Sequence, residues 1–135
     1  MGPVVFIDTS VFVAILTNEP DRDAFIDAIA DAKHRVTSPA VRLEACIVLS
    51  RRLDLLPRDA ETRFEAFLGN ADIEEAPIDS AIGAAALACF ERYGKGRHPA
   101  RLNFADCLSY ACAKAHGAAL LFKGDDFAQT DVKAR

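Results

Sequence analysis

Five acidic residues stand out by where they fall. Asp8 directly follows the apolar run Val4-Val5-Phe6-Ile7, and Glu44 lies in the second turn of a segment opened by Ser38-Pro39. Asp106 comes three residues after Asn103, and Asp125-Asp126 follow the run from Ala118 to Phe122. Taken singly, each has an ordinary explanation: Asp8 as a helix cap, Asp106 as a first-turn acid favoured by the helix dipole, Glu44 as a surface residue, Asp125 and Asp126 as turn formers. Two features change the balance. Glu44 is flanked by Leu43, Ala45, Cys46 and Ile47, and Asp106 precedes Cys107 and Leu108, so both sit in apolar sequence where a carboxylate needs compensation. Like charges gathered at one edge cannot all stay ionised without a cation, and an oxygen-only donor set suits a hard ion such as Mg²⁺ or Mn²⁺. A cation held that way keeps several waters and is suited to phosphoryl chemistry.

Three reactions fit such a site: nuclease, phosphatase, or a phospho-accepting signalling domain with Lys123 after its last strand. The signalling design wants an acidic pair just after the first strand, and the phosphatase design wants a second aspartate two residues beyond the first. The chain has Asp8-Thr9-Ser10 there. Neither design employs Glu44 and Asp106 beside Asp8, whereas a nuclease needs about four acids converging on one or two metals. A different class, a protein-binding module whose acids are structural, is opposed by the full acid set and separable from an enzyme by metal titration.

The elements that must position these acids are legible as alternating strands and helices. Val4–Ile7 reads as a doubly buried strand, with Asp8, Thr9 and Ser10 as caps for a helix through Leu16. A second helix carries Phe25, Ile26 and Ile29 and ends near Lys33, and Val36-Thr37 is a short strand. The helix from Pro39 to about Arg52 is expected to turn Leu43, Cys46 and Ile47 inward. Pro57 opens a further helix carrying Phe64, Phe67 and Leu68. Ile73 to Ile78 is expected to be a strand, and Asp79 to Tyr93 a helix burying Ile82, Ala86, Cys89 and Tyr93. Asn103 caps a helix that stops at Gly117, and Ala118 to Phe122 is the last strand. The expectation is one α/β domain with a mainly parallel sheet, helices on both faces and the acids beyond the carboxyl ends of the strands.

Composition narrows the rest. A chain of 135 residues with net charge −4 and no apolar run near the roughly 20 residues of a bilayer span is expected to be one domain with no membrane role. The start Met1-Gly2-Pro3 carries no basic leader, so a cytoplasmic protein is expected. Cys46, Cys89, Cys107 and Cys112 lie in apolar stretches as reduced core thiols. Cys112 and His116 are four apart, but no second pair completes a structural zinc set. With the surface acidic overall, any nucleic-acid contact must be local. Lys95, Arg97, His98 and Arg101 gather in a glycine-containing loop just before Asp106, where they are expected to hold nucleic-acid phosphates.

The blocks Val5-Phe6-Ile7-Asp8-Thr9-Ser10, the Glu44 helix, Tyr93 to Ala100, Leu102-Asn103-Phe104-Ala105-Asp106-Cys107 and Leu120 to Phe127, with Thr130-Asp131, closely resemble the PIN-domain ribonucleases, nearest to the VapC toxins of bacterial toxin-antitoxin pairs. The resemblance runs through essentially the whole chain in order, so residues 1–135 are expected to form a single PIN domain. It implies a three-layer α/β/α fold and RNA cleavage with Mg²⁺ (or Mn²⁺) that leaves 5'-phosphate and 3'-hydroxyl ends. It also implies a homodimer and a small VapB-like antitoxin that holds the enzyme inactive. Residue by residue, Asp8, Glu44 and Asp106 match the family's acids, with Asp8, Asp106 and Asp126 as metal ligands and Glu44 completing the site. Asp126 is favoured over Asp125 because the family more often keeps the acid before the phenylalanine. Thr9, Ser10 and Asn103 are supporting hydrogen bonders. Ala105 departs from a common glycine, a local change that suits a helix's first turn.

Overall fold

A computed structural model describes residues 2–135. Four strands form one parallel sheet: β1 (Val4–Ile7), β2 (His34–Thr37), β3 (Glu74–Glu75) and β4 (Ala119–Leu121), in the order β3-β2-β1-β4. Val5, Phe6 and Ile7 are wholly buried, as a central parallel strand covered on both faces should be. The helices are α1 (Thr9–Leu16), α2 (Arg22–Asp31), α3 (Pro39–Arg52), α4 (Pro57–Ala71), α5 (Ser80–Tyr93) and α6 (Phe104–Ala115), with a 3₁₀ turn at Phe127–Gln129. Helices and sheet together make a three-layer α/β/α domain. The chain leaves β1 for β2 on one side and reaches β4 on the other, so the reversal of strand order falls beside the carboxyl end of β1, where folds of this kind hold their ligands.

Local chemistry sets the helix starts. The side chains of Asp8, Ser38, Asp79 and Asn103 each accept a hydrogen bond from a first-turn backbone N–H, and Pro39 and Pro57 occupy the first helical position of their helices. Ile82, Ala86, Cys89 and Tyr93 form the buried stripe of α5, which packs along α6. Phe12 of α1 meets Phe64 and Phe67 of α4 at ring-centroid distances of 4.8 and 5.9 Å, pinning those two helices together.

Two expectations fail. Leu43 and Ile47 do not face inward: they are 64% and 39% exposed. The buried stripe of α3 runs through Val41, Ala45, Cys46 and Leu49, and Leu43 lies two residues, some 200° of helix rotation, from Val41. Glu44, beside Ala45, is half-buried at the margin of that stripe. The strand expected over Ile73 to Ile78 shrinks to Glu74–Glu75, paired with Val36 and Thr37. Ala76 N–H still reaches the Thr37 carbonyl at 2.9 Å, but Pro77 has no N–H with which to extend the ladder.

Beyond the 3₁₀ turn the chain returns to the sheet. Leu120 N–H donates to the Lys133 carbonyl at 2.7 Å and Arg135 N–H to the Leu120 carbonyl at 3.1 Å, so the last residues lie along the free side of β4. No helix among the described residues is long and apolar enough to cross a membrane.

Candidate active site

The turn from β1 into α1 fixes Asp8. Its Oδ2 accepts from Ser10 N–H at 3.2 Å and from the Ser10 hydroxyl at 2.7 Å, while Oδ1 accepts from the Ser109 hydroxyl of α6 at 2.9 Å. The Ser10 oxygen also accepts from Lys123 N–H at 2.9 Å, which ties the segment after β4 to the same carboxylate. Asp8 is buried, oriented on both oxygens and held by three separate parts of the chain.

Asp106 is placed by reciprocal capping. The Asn103 side chain accepts from Asp106 N–H at 2.9 Å, and Asp106 Oδ2 accepts from Asn103 N–H at 3.0 Å. Its electrostatic position is unfavourable. Burial, together with the neighbouring charges of Asp8, Asp126 and Glu44, pushes the Asp106 carboxyl up to about 6 against the downward pull of the Asn103 bond.

Asp8, Glu44, Asp106 and Asp126 all line one open cleft of about 390 Å³, together with Thr9 and Ser10; Asp125 does not. Asp126 opens the 3₁₀ turn, which is anchored by buried Phe127 against Phe122 at 5.2 Å between centroids. The Thr9 hydroxyl is buried beside Asp8 with no hydrogen-bond partner. A buried polar atom left unpaired in an acidic cleft is where a ligand or ordered water completes the bonding. Among the described residues, no three acidic, histidine or cysteine side chains stand close enough to form a finished metal cage. The all-oxygen donors and their mutual repulsion suit a hard divalent cation that keeps much of its water shell.

The four basic loop residues lie outside the cleft lining. The loop is ordered by its own bonds: Arg97 Nε donates to the Glu91 carbonyl at 2.8 Å, and His98 Nδ1 accepts from Ala100 N–H at 3.0 Å while its ring meets Tyr93 edge-on. Lys95 and Arg101 are exposed, with Arg101 in the left-handed region at φ 56°. The cations that do line the cleft are Arg52, at the end of α3, and Lys123, after β4.

Two residues of the site escaped the sequence reading. Ser109 resembles any small residue in a helix interior, and the available signal was its place three residues beyond Asp106, on the same helix face. Glu19, another lining residue, reads as punctuation before Pro20. The four cysteines are buried thiols, and burial pushes Cys112 up to about 11.

Comparison with known proteins agrees with this fold. The family model described as PIN domain matches residues 5–133. A ribonuclease VapC of Mycolicibacterium smegmatis is 44% identical over 128 residues, covering 95% of this chain and 97% of that one. The crystal structure of Mycobacterium tuberculosis VapC20, described as a Sarcin-Ricin loop cleaving toxin, superposes with a TM-score of 0.75 at 18% identity over 95% of each chain. The VapBC2 complex of Rickettsia felis, bound to a promoter DNA fragment, gives 0.71 at 16% identity, covering 97% of this chain and 96% of that one.

Proposed function

The chain belongs to the PIN domain family, as an endoribonuclease of the VapC toxin group, and from that premise we propose that Asp8, Asp106 and Asp126 hold a divalent cation, Mg²⁺ or Mn²⁺, with Glu44 completing the site, and that RNA phosphodiester bonds are hydrolysed there. The observation that carries this reading is the convergence of Asp8, Glu44, Asp106 and Asp126, drawn from four segments of the chain, on a single cleft. The bound cation supplies an activated water and charge to meet the phosphate oxygens.

The residues divide the remaining work. Asp8 is the fixed ligand, its oxygens already aimed by Ser10 and Ser109. Asp106 and Asp126 are the further ligands, and their repulsion in the empty field is what a cation relieves. Glu44, half-buried at the margin of α3, orients the attacking water by accepting its hydrogen bond. Asn103 keeps the first turn of α6 in place through its cap, and Thr9 offers the unpaired hydroxyl. Lys95, Arg97, His98 and Arg101 serve as outer contacts to the RNA backbone.

An acidic cleft also receives a basic side chain, which supports inhibition by a small VapB-like antitoxin that inserts an arginine. Exposed Leu43, Leu87 and Phe104 support a homodimer. The test is direct: purified protein with Mg²⁺ or Mn²⁺ cleaves an RNA pool, and EDTA or Asp8→Asn reduces cleavage to background while the thermal melt stays cooperative. Cleavage that survives both changes defeats the metal-site reading.

A further inference from the structure

A cleft lined by five carboxylates, Glu19 among them, repels the phosphates it has to receive, so something in its wall must attract them. The cations in the lining are Arg52 and Lys123, which come from distant parts of the chain and converge on one carboxylate. Lys123 Nζ lies 2.5 Å from Glu19 Oε1, and Arg52 Nη1 lies 2.8 Å from Glu19 Oε2. Asp21 gives Lys123 a second partner at 3.2 Å. Glu19 is itself fixed at its backbone, where its N–H donates to the Ala14 carbonyl at 2.8 Å.

The two cations are held but not used up. Glu19 engages one nitrogen of the Arg52 guanidinium, leaving further N–H donors on a side chain that is mostly exposed. Lys123 is partly open to solvent and, with donors engaged by Glu19 and Asp21, keeps a third to share. Left unbraced, both long side chains would sample many rotamers, and ordering each on binding opposes association.

We infer that Arg52 and Lys123, braced by Glu19, form the phosphate-binding wall of the cleft, with Glu19 as a positioning residue that sets both cations against the RNA backbone. This rests on the ribonuclease reading and adds to it the surface that holds the substrate.

The experiment separates binding from turnover. In an Asp8→Asn background, a labelled single-stranded RNA oligonucleotide is titrated across a salt series. Arg52→Ala and Lys123→Ala each weaken binding and lower the salt slope by about one unit, while Lys95→Ala with Arg97→Ala has the smaller effect. If Arg52→Ala melts early, Arg52→Gln replaces it. With Asp8 restored, Glu19→Gln leaves KM unchanged or lower, because a competing negative charge is gone, yet lowers kcat by roughly tenfold as the cations lose their register. Unchanged RNA affinity and salt slope in both cation variants overturns the wall, as does a loop double variant that weakens binding more than either. A Glu19→Gln enzyme with kcat intact removes its positioning role. If the protein of natural sequence binds RNA in this pattern but cuts none, the ribonuclease reading fails and the wall stands.

Discussion

Asp8 and Asp106 are the same residue type in the same cleft, yet their surroundings are opposite. At the end of β1, three hydrogen bonds from Ser10 and Ser109 compensate a buried carboxylate. At the start of α6, one backbone N–H serves a carboxyl that burial and three neighbouring acids drive towards its protonated form. The protein has therefore built one cleft carboxylate as a rigid reference and left another under electrostatic stress. Rigid placement gives geometry, and the stress on Asp106 is of the kind that a proton or a cation relieves. A site made of two Asp8-like acids would have less drive to bind metal, and one made of two Asp106-like acids would lack a fixed position.

The largest effect that sharpens this contrast concerns the acid sharing the stress. Asp126 faces Asp106 across the cleft field and Asp125 does not line it. Asp126→Asn is expected to lower metal-dependent cleavage by roughly 100-fold and Asp125→Asn by about threefold or less, measured as initial rates at saturating Mg²⁺. The reverse order would move the ligand one residue upstream.

Next comes the brace on the compensated side. Ser109→Ala removes the one buried side-chain donor that reaches Asp8 Oδ1 from α6. Cleavage should fall by about tenfold and stability by about 1 kcal/mol, read by initial rates and urea denaturation. A variant as active as the natural sequence would mean that Ser10 alone orients Asp8.

The smallest effect is on stability against pH in metal-free buffer. Below pH of about 4 the Asp106 carboxyl is protonated folded and unfolded alike; between about 4 and 6 only the folded state keeps the proton, so this group's contribution to stability falls as pH rises. Above about 6 the destabilisation is complete. Asp106→Asn should remove that decline and raise the melting temperature at pH 7 by roughly 2–5 °C, whereas Asp8→Asn should lower it. Melting curves of the two variants that shift in the same direction would erase the contrast.

Much of this was readable in the chain itself, for reasons that differ by element. The strand at Val4–Ile7, its Asp8 cap and the Asn103 cap are local: composition and the capping chemistry of a few adjacent residues decide them. The phase of α3 was not, because Leu43 and Ile47 are as apolar as Val41 and Leu49, and only the sheet and neighbouring helices decide which set is covered. The acids could be named because they follow strands and caps. Their partners could not, since the bonds from Ser109 to Asp8 and from Arg52 and Lys123 to Glu19 join residues far apart in sequence. The basic loop illustrates the converse. Proximity to Asp106 in the chain suggested proximity to the cleft, but its backbone folds onto itself and its side chains lie outside the lining.

The two sides of the sheet bear on how the protein behaves among its own copies. A parallel sheet this small has two rims at which another strand could add, and unpaired rims seed aggregation. One rim is a strand only two residues long, both glutamate, so a copy approaching it meets charge and a proline after a single step. The other is occupied by residues 133–135 lying along Leu120. Those residues act as a sealing strip: trimming them would bare the β4 rim to edge-to-edge association.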